Sequence, residues 1–208
     1  MSLSTRAKRA AQFVRHLDRY LLQWMFGFDR WHVNRLGDRP YALSVISYLN
    51  AWPDDRRGRV VEIGCGLGDI LRRLQFHERL GFDSDPAVLR AARMLATLTR
   101  QRYLRLAEGT FPLALDGRYD AIVMVNWPHL VDEARLQPQL AAYVRQHLKP
   151  NGVLIVDTVQ DPAYLYRHRI ERLAPAGSPI MKLGSFERQR ELWSVGGPSA
   201  PVSRPGGS

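Results

Sequence analysis

The stretch VVEIGCGLGDIL, residues 60–71, decides the fold of this chain. A short apolar run carries one acid, Glu62, and glycine then occupies the alternate positions Gly64, Gly66 and Gly68. Glycine adopts positive φ angles and lets a ligand approach the main chain closely. The stretch therefore predicts a strand followed by a tight loop, which either holds a ligand or only turns the chain.

The sequence after this loop alternates between strand-like and helix-like segments. Apolar runs predict strands at residues 59–63, 79–83, 102–107, 121–125 and 152–158. Helical patterns lie between them at residues 69–75, 85–98 and 133–148. Pro138 must kink or divide the last helix, and KPNG at 149–152 turns the chain. Residues 179–186 and 188–195 predict a hairpin. Apolar strands that alternate with helices predict an α/β fold with helices on both faces of the sheet.

The N-terminal segment predicts a basic amphipathic helix over residues 5–26. Its apolar face comprises Ala10, Phe13, Val14, Leu17, Leu21, Trp24 and Met25, and its other side carries Arg6, Lys8, Arg9, Arg15 and Arg19. This helix either packs on the domain with a solvated basic face, or serves as a membrane-surface helix or lid. An ordered loop over residues 27–40 and a helix over 41–51 follow.

These patterns divide a single domain into three parts. Residues 1–57 are expected to form an N-terminal helical extension or lid, residues 58–196 the core, and residues 197–208 a disordered tail. The 208 residues, 45% of them hydrophobic, suffice for one such core. The chain has one cysteine, Cys65, which excludes a disulfide framework.

Charge and hydropathy restrict the partners. The net charge of +10 is compatible with a nucleic-acid partner, but the basic residues are scattered and consist largely of arginine. We disfavour nucleic acid without excluding it. The sequence shows neither a signal peptide nor a membrane span, so a cytoplasmic location is expected, with the alternative of peripheral contact at the inner face of the membrane.

Asp83 indicates what the glycine loop holds. It ends the second predicted strand, 21 positions after Glu62, where an acid suits the two hydroxyls of a ribose. A dinucleotide fold requires G-x-G-x-x-G, whereas the spacing here is G-x-G-x-G. The Glu62 carboxylate would repel a phosphate and would suit a cationic ligand. The sequence therefore predicts a nucleoside derivative with a positive charge.

Four segments in order carry a resemblance to a known family. They are VVEIGCGLGDIL, GFDSDP, AEGTFPLALDGRYDAIVMV and LKPNGVLIVDT, and the resemblance that they carry extends over residues 58–158. The chain resembles the class I S-adenosylmethionine-dependent methyltransferases, in a small bacterial form. The resemblance implies a Rossmann-like, seven-stranded mixed sheet, mostly parallel, whose last strand is antiparallel. It also implies S-adenosylmethionine as cofactor.

The same resemblance assigns the cofactor contacts. It places them at Glu62, Gly64, Gly66, Gly68, Asp83, Ser84, Glu108, Gly109 and Asn126. Glu62 and the glycines surround the amino-acid end, Asp83 holds the ribose, and Glu108 contacts the adenine amino group in place of the usual aspartate. Cys65, inside the loop, is expected to be structural.

The acceptor site is expected after the fourth strand, at VNWPHLVDE. An amine-methylating N/D-P-P-Y/F motif is absent, so His129 is a candidate general base for an oxygen acceptor, or else a residue that caps or packs the next helix. FDRWHVN supplies His32 as a second catalytic candidate. Trp31 and Trp127 are candidate substrate contacts. No cluster of Asp and Asn ligands indicates a metal.

The sequence thus favours O-methylation of a small-molecule or glycan hydroxyl. FDRWH, RPY and VNWPH resemble small bacterial methyltransferases of uncharacterised or cell-surface polysaccharide pathways, which indicates a sugar or other hydroxyl acceptor. Two alternatives stay open: an RNA or protein methyltransferase that uses the basic surface, and a non-catalytic cofactor-binding or membrane-associated partner subunit. The oligomeric state has no sequence signal.

Overall fold

A computed structural model describes residues 17–197. Its strands are β1 (Arg59–Ile63), β2 (Glu78–Asp83), β3 (Leu104–Glu108), β4 (Tyr119–Met124), β5 (Leu148–Val159), β6 (Ile180–Phe186) and β7 (Arg190–Gly196). They form one sheet in the order β3-β2-β1-β4-β5-β7-β6. Strands β1 to β5 pair in parallel, and β7 lies antiparallel between β5 and β6. The predicted seven-stranded mixed sheet is confirmed.

Helices cover both faces of this sheet. They are α1 (Leu17–Phe26), α2 (Pro40–Asn50), α3 (Pro86–Leu98), α4 (Glu133–Ala142) and α5 (Ile170–Leu173). Neighbouring residues of one strand face opposite sides: Val60 packs with Val45 and Leu49 of α2, whereas Val61 belongs to the core cluster that contains residues of α4 and α5. This arrangement explains why apolar residues follow one another directly in the central strands instead of alternating with polar ones.

The predicted short helix at residues 69–75 is wrong. Only one 3₁₀ turn forms, Leu71–Arg73, and Leu74 is already extended with ψ 139°. The side chain of Asn50 donates to the carbonyl of Arg73 and accepts from the backbone N–H of Gln75, both at 2.9 Å. A continuing helix would need these backbone groups for itself, so α2 ends the turn.

Two other expectations are refined around β5. Helix α4 runs through Pro138 without a division and continues as one π-helical turn, Tyr143–His147. The KPNG segment is a bulge at the start of β5 rather than a separate turn: Tyr119 pairs with Leu148 but Ala121 pairs with Val153. Asn151 within this bulge has φ 64°.

The N-terminal segment is described from Leu17 onward. Helix α1 is the C-terminal part of the helix predicted over residues 5–26, and residues 5–16 lie outside the described residues. The ordered loop of residues 27–40 contains two 3₁₀ turns, Arg30–Val33 and Leu36–Asp38. The predicted disordered tail also lies outside the described residues, apart from Gly197. Within residues 17–197, no helix combines the length and apolar content that a bilayer crossing requires.

Candidate functional site

The glycine loop follows β1 and is fixed to the end of β2. The backbone N–H groups of Gly64 and Cys65 both donate to the carbonyl of Phe82, at 2.7 and 2.9 Å. Gly64 has φ 77°, and a Cβ there would overlap the indole of Trp127. Gly66 has φ 53°, and a Cβ there would lie 2.9 Å from Nδ1 of His32. Both positions therefore require glycine for conformation and for space.

Asp83 holds this loop from the neighbouring strand. Its Oδ2 accepts a hydrogen bond from the backbone N–H of Gly66 at 2.7 Å, and its Oδ1 accepts from that of Asp85 at 3.0 Å. Asp83 pairs in register with Glu108, and the N–H of Gly109 donates to the carbonyl of Asp83. The predicted cofactor residues on β2 and β3 thus meet at one edge of the sheet, next to the loop.

A cavity of about 610 Å³ opens beside the loop, a volume in the range of small-molecule sites. Eight of the predicted site residues line it: Glu62, Gly64, Gly66, Asn126, Trp31, His32, Trp127 and His129. Five others do not: Gly68, Asp83, Ser84, Glu108 and Gly109. The first group brings the glycine loop and the acceptor candidates to one space. In the second group, Asp83, Ser84, Glu108 and Gly109 lie at or just after the ends of β2 and β3, and Gly68 lies later in the glycine loop.

Glu62 is a buried acid with an unused acceptor. Its side chain lies at the cavity, and its Oε2 has no hydrogen-bond partner. Burial raises the pKa of Glu62 well above its ordinary range, the charges of Asp69 and Asp83 raise it further, and Arg39 opposes them. A cationic ligand group beside Oε2 would supply the missing partner and favour the carboxylate form.

Asp69 connects the loop to the N-terminal segment. This buried carboxylate pairs with Arg19 of α1 at 2.8 Å, with Arg39 at 2.5 Å and with Arg72 at 2.5 Å. Burial alone would raise the pKa of Asp69, but the three guanidinium groups hold it below its ordinary range. Arg39 also lines the cavity, and its Nε has no partner. A carboxylate-bearing ligand would therefore meet a cation close to Glu62.

Two histidines line the cavity at different places. His32 lies against Gly66 and stacks on Trp31, with ring centroids 3.6 Å apart, and the indole of Trp31 remains half exposed. Burial lowers the pKa of His32, although Asp83, Asp85 and Asp29 oppose the shift. His32 therefore faces the glycine loop, next to the predicted cofactor position.

His129 lies in the turn after β4. It is buried, meets the ring of Tyr164 edge-on at 4.5 Å, and leaves Nδ1 without a partner. Burial, with smaller contributions from Arg190 and His168, lowers the pKa of His129 to about 4. The imidazole is therefore neutral near neutral pH and has a nitrogen available for a hydrogen bond.

Trp127 has a packing role besides its place at the cavity. Its Nε1–H donates to the carbonyl of Ile63 at 2.5 Å, and its ring packs on Phe111 at 5.1 Å. The indole thereby covers Gly64. Cys65 is buried, and burial, followed by the charges of Glu62 and Asp83, raises the pKa of its thiol.

An ion pair that the sequence did not reveal builds the far wall of the cavity. The buried Asp157 of β5 accepts a hydrogen bond from the backbone N–H of Asn126 at 2.8 Å and pairs with Arg190 of β7. The Arg190 guanidinium lies 4.5 Å from the ring centroid of Tyr41 and 5.8 Å from that of Tyr164. Asn126 itself has φ 74°. These residues come from α2, β5, β7 and two loops, so no local sequence motif indicates them.

Metal ligands are not clustered in this part of the molecule. Across residues 17–197, no group of three or more His, Cys, Asp or Glu side chains is arranged to hold a metal ion.

Comparisons with known proteins agree with this fold. A family model described as a methyltransferase domain matches residues 61–154. The biotin biosynthesis bifunctional protein BioCD of Bordetella avium (strain 197N) is 32% identical over 150 residues, which is 68% of this chain and 30% of that protein. The chain thus spans about a third of the length of this relative.

Solved structures share the fold. The N-methyltransferase NodS from Bradyrhizobium japonicum WM9, in complex with S-adenosyl-L-homocysteine, superposes with a TM-score of 0.67 at 15% identity, covering 87% of this chain and 98% of NodS. Magnesium protoporphyrin IX methyltransferase from Synechocystis PCC 6803, with bound S-adenosylmethionine, gives 0.64 at 16% identity, covering 86% and 90%. The amino pentose methyltransferase CalS10 from Micromonospora echinaspora gives 0.61 at 18% identity, covering 85% and 95%.

The residues of this chain suit S-adenosylmethionine. The unpartnered Glu62 carboxylate matches the cationic amine and sulfonium, Arg39 matches the carboxylate, and Gly64 and Gly66 leave the space that a side chain would fill. The strand order and the methyltransferase-domain match point to the same cofactor. The methyltransferase-domain match and the shared fold together support a class I S-adenosylmethionine-dependent methyltransferase.

Proposed function

We propose that the protein methylates an oxygen atom of a small-molecule or glycan acceptor. The observation that carries the proposal is the shared cavity, in which Glu62 and the glycine loop form one wall and His129, Tyr164 and Arg190 form another. Donor and acceptor can therefore be held in one enclosed space, as in-line methyl transfer requires. When bound, S-adenosylmethionine supplies a methyl group activated by a positively charged sulfur.

An oxygen acceptor is supported by the turn after β4. Asn126-Trp127-Pro128-His129 lacks the paired prolines of the amine-methylating motif, and the indole N–H of Trp127 is engaged by a backbone carbonyl. His129 is neutral and has an unpartnered Nδ1, so it can accept a hydrogen bond from an acceptor hydroxyl and orient an oxygen lone pair.

His129 is a weak base with a pKa of about 4, which limits when it takes the proton. A free hydroxyl is far too weak an acid to lose its proton to such a group. The oxygen becomes strongly acidic only as its bond to the methyl carbon forms and the carbon–sulfur bond breaks. We therefore propose that His129 first orients the hydroxyl and receives its proton late in the transfer.

His32 has a different proposed role. It lies on the glycine-loop side of the cavity, against Gly66, whereas His129 lies on the far side with Tyr164. We propose that His32, with Trp31 stacked on it, closes the cofactor side, and that the outer face of Trp31 contacts the acceptor. The sequence expectation that either histidine could be the base is thereby narrowed to His129.

One structural observation bears on the alternative of a nucleic-acid acceptor. A second depression, of about 460 Å³, is lined by Arg93, Arg100 and Arg102. It lies at the start of β3 and the end of α3, whereas the cavity lies at the opposite ends of the strands. A phosphate bound there would be remote from the methyl group, so the cationic depression does not favour RNA as acceptor.

The proposal is tested with methyl-labelled S-adenosylmethionine and a panel of sugars, sugar nucleotides, phenols and amines. We expect label in an ether-linked methyl group, identified by mass spectrometry of the product. His129→Ala should lose turnover while S-adenosylhomocysteine affinity, measured by calorimetry, is kept. Transfer to amines alone, or full turnover in His129→Ala, would contradict it.

A further inference from the structure

Helix α1 exposes an apolar stripe. Leu17, Leu21, Trp24 and Met25 have exposed fractions of 44%, 52%, 83% and 59%. Their spacing of four, three and one residues places them on one face of a helix. Single exposed apolar residues are ordinary, but four on one short helix, including a largely exposed tryptophan, form a patch that indicates a binding surface.

The opposite face of α1 is firmly attached to the domain. Arg19 pairs with the buried Asp69, and Leu22 packs in a cluster with Phe28, Val33 and Val88. The stripe is therefore held outward by the packing of the same helix, and it cannot be buried by a small rotation of α1 without breaking these contacts.

Arginines lie beside α1, and the exposed acid of this helix, Asp18, is paired with one of them, Arg35, at 2.5 Å. Arg30 is exposed, and the guanidinium of the exposed Arg90 lies at the C-terminal end of α1, where it donates to the carbonyl of Phe26 at 3.4 Å. The sequence before α1 contains Arg6, Lys8, Arg9 and Arg15, which lie outside the described residues, and the whole chain carries a net charge of +10. An apolar helix face with tryptophan and leucine, next to lysine and arginine, is the pattern of helices that lie in a bilayer interface.

We propose that α1 docks the protein on an anionic lipid bilayer, with Trp24 in the headgroup region and the exposed Arg30 and Arg90 over the lipid phosphates. This docking does not depend on the proposed acceptor. It does affect how an acceptor reaches the site, because Trp31, which lines the cavity, follows Met25 by only six residues. The two Cα atoms are therefore no more than about 20 Å apart.

The test is co-sedimentation of the full chain with vesicles. We expect the protein to pellet with vesicles that contain phosphatidylglycerol, to pellet weakly with pure phosphatidylcholine, and to be released by high salt. The double variant Leu21→Ser/Trp24→Ser should bind about tenfold or more weakly, since two exposed apolar side chains lose their burial in the interface. Wild-type tryptophan emission should shift to the blue with vesicles, and Trp24→Phe should lose most of the shift.

The matched control is Tyr103→Ser/Leu165→Ser, which removes two side chains of similar exposure, 73% and 68%, away from α1. It should pellet like the wild type. Equal S-adenosylhomocysteine affinity in all three proteins would show that the site is intact. No pelleting of the wild type, or equal pelleting of both double variants, would overturn the proposal. So would a concentration-dependent dimer that Leu21→Ser/Trp24→Ser abolishes without any vesicle binding, because the stripe would then belong to a second copy.

Discussion

Asp157 and Arg190 form a buried ion pair across two antiparallel strands, and the same carboxylate holds the backbone of Asn126. The pair thereby ties the end of β4, where the acceptor motif begins, to the C-terminal hairpin. Because both charges are buried, each depends on the other.

Asp157→Asn should leave Arg190 buried and unpaired. We expect a loss of about 3–5 kcal/mol in the free energy of unfolding, measured by urea denaturation. The double variant Asp157→Leu/Arg190→Met should be much less destabilised, because no isolated charge is left. A double variant as unstable as the single one would show that the pair contributes by shape rather than by charge.

Gly64→Ala tests the closeness of the loop to Trp127. Gly177 is a matched control, since it has the same φ of 77° and a Cβ added there would have no atom within 4 Å. Gly177→Ala should cost about 1 kcal/mol of stability through backbone strain alone. Gly64→Ala should cost about 1–3 kcal/mol more by displacing the indole, and should abolish S-adenosylhomocysteine binding in calorimetry. Equal costs in the two variants would contradict the close contact.

Glu62→Gln separates cofactor binding from stability. We expect S-adenosylhomocysteine to bind about ten- to a hundredfold more weakly, because a charged partner of its amine is lost. The ligand-free protein should not lose stability, since the variant removes a buried carboxylate that has an unpartnered oxygen.

The pH dependence of stability provides the control for this variant. The pKa of Glu62 is raised in the folded protein, so the folded state holds a proton that the unfolded state releases above the ordinary value of 4.5. The contribution of Glu62 to the free energy of unfolding is fully present below pH 4.5 and is lost as the pH rises through the folded pKa. The stability of Glu62→Gln relative to wild type should therefore increase with pH. A flat difference would mean that Glu62 is not desolvated.

His129 should show the opposite slope. Its pKa is depressed from 6.5 to about 4, so the unfolded state binds a proton that the folded state refuses. The stability that His129 contributes is full above about 6.5 and is lost as the pH falls toward 4. In denaturation measurements at a series of pH values, His129→Gln should lack the loss of stability that His129 causes between about pH 6.5 and 4.

The same pKa predicts the pH profile of turnover. The acid limb of kcat/KM, which reports the ligand-free protein, should lie near 4, where His129 becomes protonated, and not near the ordinary 6.5. An acid limb near 6.5 that disappears in His129→Gln would contradict the assigned environment of the imidazole.

The sequence predicted the sheet well because its evidence is local. Each of β1, β2 and β4 is an apolar run that ends at a loop, and the hairpin of β6 and β7 carries its own turn. The short helix at 69–75 failed because Asn50, from another element, competes for its backbone groups. Such a tertiary hydrogen bond has no signature in the segment itself.

The residues of the site were likewise predictable only where they are close together in the sequence. Glu62 and the glycines occupy one short motif, so their meeting was predictable. Asp157, Arg190 and Tyr41 come together only through the register of β5 on β7 and the packing of α2, and no spacing in the chain indicates this. The sequence also did not predict the hydrogen bonds of Asp83. Its two carboxylate oxygens accept from the backbone N–H groups of Gly66 and Asp85.

The three arginines on Asp69 give the N-terminal helix an unusual independence. If α1 separated from the core, Arg19 would pass into water, and Asp69 would keep Arg39 and Arg72 as partners. The separation would thus leave no buried charge without a partner, whereas a buried carboxylate with only one ion-pair partner would lose it. Because of this redundancy, the charged state of Asp69 and its ion pairs with Arg39 and Arg72 do not depend on α1.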